Sequence, residues 1–167
     1  MSYAVYNTRG FILGSGPSGE ASKLYSIYTE DFGLVRAKAQ SVRLLQSKLR
    51  YNLEDYSFSA VSLVKGREVW RLTGAENLSQ RSNDLLIRAR TLNLIRRLVQ
   101  GEEKNEDLFD ALLLLESDAA GATAPSEALI LSHALSALGY LDLAALEGKS
   151  ERERILAINK ALKETQL

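Results

Sequence analysis

The sequence contains no cysteine, which excludes disulfides, thiolate metal sites and cysteine nucleophiles. Its one histidine, His133, lies in a leucine- and alanine-rich pattern, where a packed or surface histidine is commoner than a catalytic one. With one histidine and no thiolate, a zinc or other transition-metal site would depend on carboxylates alone, which is unusual. We therefore expect neither a metal nor another cofactor.

Long hydrophobic runs are also missing. The longest, such as residues 111–115, fall far short of the roughly 20 residues that cross a bilayer. Residues 1–9 lack the basic start and apolar stretch of a secretion signal. Because the absence of cysteine also suits a reducing compartment, the sequence predicts a soluble cytoplasmic protein with no membrane association.

Charge and aromatic residues are distributed unevenly along the 167 residues. Residues 1–75 carry ten Lys or Arg against six Asp or Glu, whereas residues 76–167 carry eleven against fifteen. The first part also holds six of the seven tyrosines and the only tryptophan, and the leucine- and alanine-rich runs follow it. This change predicts two domains, 1–75 and 76–167, of which the first is the candidate for facing nucleic acid.

The first part reads as β-strands. An apolar run at residues 11–13 ends in a glycine-rich segment, 14–19, which lacks the Gly-Lys-Ser/Thr ending of a phosphate loop and is better read as a turn. Two more strands, a basic connector and a hairpin at Lys65-Gly66 follow. That order is typical of the five-stranded OB-fold, although other small β-barrels share much of it.

The second part reads as helices with apolar residues at three- and four-residue steps. Predicted helix starts lie at Ser79, Asn105, Ser126 and Ser150, the first two as N-caps. Gly101 and Gly139 are predicted stops. The predicted fold class is thus α+β, with an N-terminal five-stranded OB-fold barrel followed by an all-helical domain.

A run of cations without any acid marks residues 34–53. A basic connector on a small β-domain is typical of nucleic-acid binders, because cations that neutralise phosphates release counterions, but a solvated charged loop has the same composition. Including the hairpin, the candidate DNA-binding residues are Arg36, Lys38, Arg43, Lys48, Arg50, Lys65, Arg67 and Arg71. Arg88, Arg96 and Arg97 could continue this patch or could be solvated surface.

Aromatic residues near these cations could stack on the bases of a single strand. They are Tyr25, Tyr28, Tyr51, Tyr56, Phe58 and Trp70, and we expect half or more of them to fill the barrel instead. The acid pairs at 102–103 and 106–107 are best read as helix caps and surface. No nucleophile, base and oxyanion donor assemble in the pattern, so we do not expect an enzyme.

Over nearly its whole length, the chain resembles the bacterial RecO family of DNA repair proteins. The resemblance rests on the order and spacing of short motifs: Phe11-Ile12-Leu13, Gly19-Glu20, Thr29-Glu30, Gly33, Ala37-Lys38-Ala39, Arg43, Ser47-Lys48, Leu53 with Tyr56, Leu108-Phe109-Asp110 and Leu138-Gly139-Tyr140. Two departures matter. The family's glycine after Ala-Lys is Ala39 here, and the four zinc-binding cysteines of many members are absent.

The resemblance implies a non-enzymatic, nucleoid-associated recombination mediator. Such proteins bind single- and double-stranded DNA and promote annealing. They also help to load recombinase on strands covered by single-strand-binding protein, together with RecR. The alternative is a protein–protein adaptor whose OB-like barrel has lost nucleic-acid affinity, which the missing zinc module and the neutral total charge would suit.

Overall fold

The computed structural model describes residues 3–44, 46–79, 84–117 and 124–166. The chain divides into two compact units. The barrel unit comprises Met1–Ser79 and Leu92–Lys104, and the helical unit comprises Gln80–Thr91 and Asn105–Leu167. The domain boundary at residue 75 stays a prediction, because two compact units do not show which segment of the chain folds independently.

In the barrel unit, the strands of the described residues close into one ring. They are β1 (Val5–Pro17), β2 (Lys23–Thr29), β3 (Gly33–Ala39), β4 (Phe58–Val64) and β5 (Trp70–Asn77). The order around the ring is β1-β2-β3-β5-β4, with β4 returning to β1. Neighbours are antiparallel except for β3 and β5, which are parallel. This five-stranded ring is that of an OB-fold and confirms the predicted α+β class.

Side chains fill the inside of the ring. On β3, Val35, Ala37 and Ala39 are buried, whereas Arg36 between them is exposed, as the two-residue period of a strand requires. The same cluster takes in residues from the other strands and from the connector, including Ile12, Ile27, Leu63, Trp70, Val42 and Leu53. Because the interior is occupied, a ligand of this barrel has to bind on its outside or at its rim.

The predicted tight hairpin at Lys65-Gly66 is wrong in detail. The strands separate after Val64, and β5 begins only at Trp70, so a longer loop of residues 65–69 joins them. Within it, the carbonyl oxygen of Val69 lies 2.1 Å from where a Cβ on Gly66 would stand. Residues 65–69 therefore form a folded-back loop instead of a tight two-residue turn.

A return segment, residues 99–104, packs on the barrel unit after α1. Its Gly101 carbonyl accepts a hydrogen bond from the Leu34 N–H at 3.2 Å. The Glu102 carboxylate accepts one from Trp70 Nε1 at 2.9 Å. Gly33 has a φ of 66°, and a Cβ there would lie 2.2 Å from the carbonyl oxygen of Glu103. The β2–β3 turn and the return segment thus meet backbone to backbone.

We expect Gly33→Ala to lower the free energy of unfolding by about 2–3 kcal/mol, because it combines positive-φ strain with a backbone clash. Urea unfolding followed by the fluorescence of Trp70, the only tryptophan, measures this cost. Gly16→Ala is the matched control: apart from the adjoining residues, no atom lies within 4 Å of where a Cβ on Gly16 would stand, so its effect should stay within about 0.5 kcal/mol. Equal stabilities of the two variants would contradict the close packing at Gly33.

The described helices are α1 (Leu85–Leu98), α2 (Glu106–Leu113), α3 (Glu127–Ala137) and α4 (Glu151–Glu164). Asn105 caps α2 by accepting a hydrogen bond from the Leu108 N–H, which confirms its prediction. Ser126 and Ser150 cap α3 and α4 in the same way. None of the described helices is long and apolar enough to span a membrane.

Ser79 does not cap α1, because that helix begins only at Leu85, so the prediction of Ser79 as its N-cap is wrong. Its hydroxyl accepts a hydrogen bond from the Phe58 N–H at 2.7 Å, which ties the end of β5 to the start of β4. Asp84 takes the capping role instead, since its carboxylate accepts from the Leu86 N–H at 2.8 Å. Residues 80–83, where the helix was also predicted, lie outside the described residues.

The helical unit contains a buried ion pair between Arg88 of α1 and Glu116. Their side chains are only 5% and 10% exposed. Arg88 Nη2 also donates to the carbonyl oxygen of Leu115 at 3.2 Å. A second pair, Arg90 with Glu127, is bidentate but much more exposed. Burial makes the first pair a structural element whose two charges depend on each other.

Candidate nucleic-acid interface

Three of the predicted cations lie together on the outside of the ring. Lys38 of β3 and Arg71 of β5 are paired across neighbouring strands. Arg36 precedes Lys38 by two residues and therefore points to the same side of β3. We call Arg36, Lys38 and Arg71 the β3–β5 face. Strand register, rather than sequence proximity, brings Arg71 to the other two.

This face carries uncompensated positive charge. Among the described residues, no carboxylate forms an ion pair with any of its three cations. Like charges directly opposite on neighbouring strands destabilise a sheet. Lys38 and Arg71 therefore repel each other in the free protein, and a bound polyanion would relieve that repulsion.

The loop of residues 65–69 brings two further predicted cations, Lys65 and Arg67, which are exposed. The loop leads into Trp70, whose cross-strand partner is Ala37, next to Lys38. Lys65 Nζ lies 5.4 Å from the centre of the Trp70 ring, within reach of a cation–π interaction. In OB-folds, the face of strands 2 and 3 and the loop between strands 4 and 5 bind oligonucleotides.

The connector between β3 and β4 carries the remaining predicted cations, Arg43, Lys48 and Arg50, all exposed. Its described residues form turns, with neither a helix nor a strand among them. The Arg43 N–H donates to the Ala21 carbonyl at 3.0 Å, so the connector lies against the β1–β2 turn. The Arg43 guanidinium also reaches the Gly19 carbonyl, at 3.4 Å.

A cavity of about 480 Å³ opens between the connector and the barrel. Arg43 and Arg50 line it together with Lys23, a cation that was not among the predicted site residues. Lys23 begins β2 opposite Ala39, the last residue of β3, and only this register indicates its place. Lys48 does not line the cavity. The predicted cations thus divide between the β3–β5 face with its neighbouring loop and this cavity.

The floor of the cavity is apolar, and its rim also carries acids. Val42, Leu53 and Tyr25 line it and are almost fully buried. Glu54 and Asp55 line it as well. Burial, followed by the nearby charge of Asp55, raises the pKa of Tyr25, so its hydroxyl stays protonated at neutral pH.

Four of the six aromatic candidates are buried and cannot stack on a base, but only Tyr25 and Trp70 belong to the core cluster inside the barrel, fewer than the expected half. Tyr25, Tyr28, Phe58 and Trp70 are each 5% exposed or less. Tyr51, in contrast, is 67% exposed and follows Arg50 in the connector. The Tyr56 hydroxyl accepts a hydrogen bond from the Asn93 side chain at 3.1 Å. Tyr51 is therefore the stacking candidate that the structure supports.

Several other predicted features fall outside this surface. Arg88 can serve neither as a patch residue nor as solvated surface, because it is buried against Glu116. His133 is half-buried on α3. The described residues contain no cluster of three or more His, Asp or Glu that could hold a metal ion. Ala39 ends β3 as an ordinary buried strand residue, so its difference from the family's glycine does not interrupt the strand.

Comparison with known proteins gives a consistent result. A family model described as "Recombination protein O N terminal" matches residues 1–81. The DNA repair protein RecO of Dehalococcoides mccartyi is 37% identical over 73 residues, which cover 44% of this chain and 29% of the relative. The RecO protein of Rubrobacter xylanophilus is 31% identical over 128 residues, which cover 64% of this chain and 52% of the relative. The RecO protein of an Enterobacter species is 31% identical over 137 residues, which cover 80% of this chain and 58% of the relative.

The chain therefore spans no more than 58% of the length of these three relatives. The family model covers the strands of the barrel. The match to the Enterobacter relative covers 80% of the chain and so extends well into the helical unit. Barrel order, family model and extended similarity agree that this chain belongs to the RecO family.

Proposed function

We propose that this protein acts in recombinational DNA repair by binding DNA on the outside of its OB-fold barrel. The similarity to proteins named DNA repair protein RecO supports the process. The barrel unit supports the mode of action, since its filled interior leaves the outer surface for binding. In this proposal the protein is not an enzyme, and it acts by holding strands.

The observation that carries the proposal is the pairing of Lys38 with Arg71, flanked by Arg36, on a face without a neutralising acid among the described residues. Lys65 and Arg67 extend this positive surface along the loop into β5. Arg43, Lys48 and Arg50 add charge on the connector, and Tyr51 adds an exposed ring. Cations along a groove with an adjacent ring are the elements that hold single strands.

The finer activities follow from family membership as parts of the same proposal. The protein binds both single- and double-stranded DNA, because phosphate contacts need no particular base sequence. Holding two complementary strands on positive surfaces promotes their annealing. In this proposal it works with RecR and single-strand-binding protein in loading recombinase.

A salt titration of the unmodified chain tests the proposal. We expect labelled single- and double-stranded oligonucleotides to bind with an affinity that falls linearly with salt on a log–log scale. Four to six phosphate contacts predict a slope of about −3 to −4 for single strands. Fluorescence anisotropy at several salt concentrations measures it. The absence of binding, or a slope near zero, would leave the adaptor alternative in its place.

A further inference from the structure

The cavity beside the connector is lined by acidic as well as basic side chains, and a phosphate site needs only the basic ones. Lys23, Arg43 and Arg50 line it, and so do two acids, Glu54 and Asp55. These cations and acids share the cavity without forming an ion pair among the described residues. A site for phosphate alone would be weakened by carboxylates, because they repel an anion.

Each acid is placed to accept from a ligand. Asp55 Oδ1 is held by the Ser15 hydroxyl at 2.7 Å, and no described group bonds its other oxygen. The Glu54 side chain is exposed at the rim and has no hydrogen-bond or ion-pair partner among residues 3–44, 46–79, 84–117 and 124–166. Both follow directly on Leu53, which fixes the backbone of this rim by burying its side chain in the barrel.

The floor of the cavity suits a flat, partly apolar group. Val42 and Leu53 are 2% and 4% exposed, and Tyr25 lies beside them. The volume of about 480 Å³ lies within the ~300–1,000 Å³ of clefts that take small ligands. Cations for an anion, an apolar floor for a ring and carboxylates for amino donors together describe a nucleotide.

We propose that this cavity receives one nucleotide of a bound single strand and selects bases that carry an exocyclic amino group. This inference rests on the proposed function and adds a base preference to it. The phosphate lies on Lys23, Arg43 and Arg50, and the base lies on the apolar floor. Glu54 and Asp55 accept hydrogen bonds from the amino group, as carboxylates do from cytosine N4. Thymine presents a carbonyl oxygen at that position, which the carboxylates repel.

The test compares oligo-dC with oligo-dT of about 15 nucleotides, near the upper end of the site size of one OB-fold. The two pyrimidines differ chiefly in the amino or carbonyl group at this edge. We expect oligo-dC to bind about tenfold more tightly, in line with the discrimination that one good base contact provides. In the variant E54Q/D55N the ratio should fall to about one, because an amide can accept from cytosine and donate to thymine.

The control variant E68Q/E76Q also removes two exposed acids from the barrel unit, but neither lines the cavity. It should tighten the binding of both oligonucleotides alike and keep their ratio. Equal binding of oligo-dC and oligo-dT by the unmodified chain would overturn the inference, as would an unchanged ratio in E54Q/D55N. In both cases salt-dependent binding would persist, and the proposed function would stand. Loss of all binding to the unmodified chain would instead remove the proposed function.

Discussion

The triple variant R36A/K38A/R71A should bind a labelled single strand about 100-fold more weakly than the unmodified chain at ~0.1 M salt. Each phosphate contact on a single strand contributes about 0.7 to the log–log salt slope, so three lost contacts lower the slope by about 2. Extrapolated from a common affinity near ~1 M salt, that slope difference gives the 100-fold loss at ~0.1 M. Anisotropy titrations over a range of salt concentrations measure both quantities.

A matched control separates a local interface from general charge. The variant R152A/K160A/K163A removes three exposed cations from α4 and changes the net charge by the same amount. It should leave the salt slope of the unmodified chain unchanged. Near-UV circular dichroism checks that both variants keep their packing. Equal losses in the two variants, or full binding by R36A/K38A/R71A, would show that the β3–β5 face is not the interface.

Glu116→Ala should lower the free energy of unfolding by about 3 kcal/mol, the largest effect on stability that we expect from a single change in the helical unit. The reason is that Arg88 stays buried after its acidic partner is removed. A buried charge without its counter-ion carries most of its desolvation cost uncompensated. Urea unfolding followed by far-UV circular dichroism measures the difference.

Two comparisons sharpen this result. Glu127→Ala breaks the exposed pair with Arg90, whose side chains are 55% and 28% exposed, and should cost under about 1 kcal/mol. The double variant R88M/E116L replaces both buried charges with apolar groups and should recover most of the stability that Glu116→Ala loses. If Glu116→Ala and Glu127→Ala lower the free energy of unfolding equally, burial does not determine how much the Arg88–Glu116 pair contributes to stability.

Local patterns predicted the α+β class and most helix starts, but not the loop of residues 65–69 or the start of α1. In β3, Val35 and Ala37 are buried in the barrel and Arg36 between them is exposed, as the two-residue period of a strand requires. Asn105, Ser126 and Ser150 begin helices because each can accept a hydrogen bond from a first-turn N–H. Strand alternation and helix caps depend only on residues close together in the sequence, so they can be recognised without knowing the fold.

The candidate site was predictable only in part, because it depends on contacts distant in sequence. The basic run indicated Arg36 and Lys38, but the pairing of Lys38 with Arg71 follows from the parallel register of β3 and β5. Lys23 was missed because the register of β2 with β3, and the fold of the connector over it, bring it to the cavity. Arg88 was misjudged because its partner Glu116 lies 28 positions away.

The barrel unit does not end with its last strand, β5. Residues Leu92–Lys104 belong to the same unit, and the return segment supplies the acceptors for the Leu34 N–H and the Trp70 indole. A fragment cut at residue 81, where the family match stops, would lose both acceptors. Transplanting this barrel into another protein would therefore require carrying the second half of α1 and the turn after it, so the smallest portable module is interrupted in sequence.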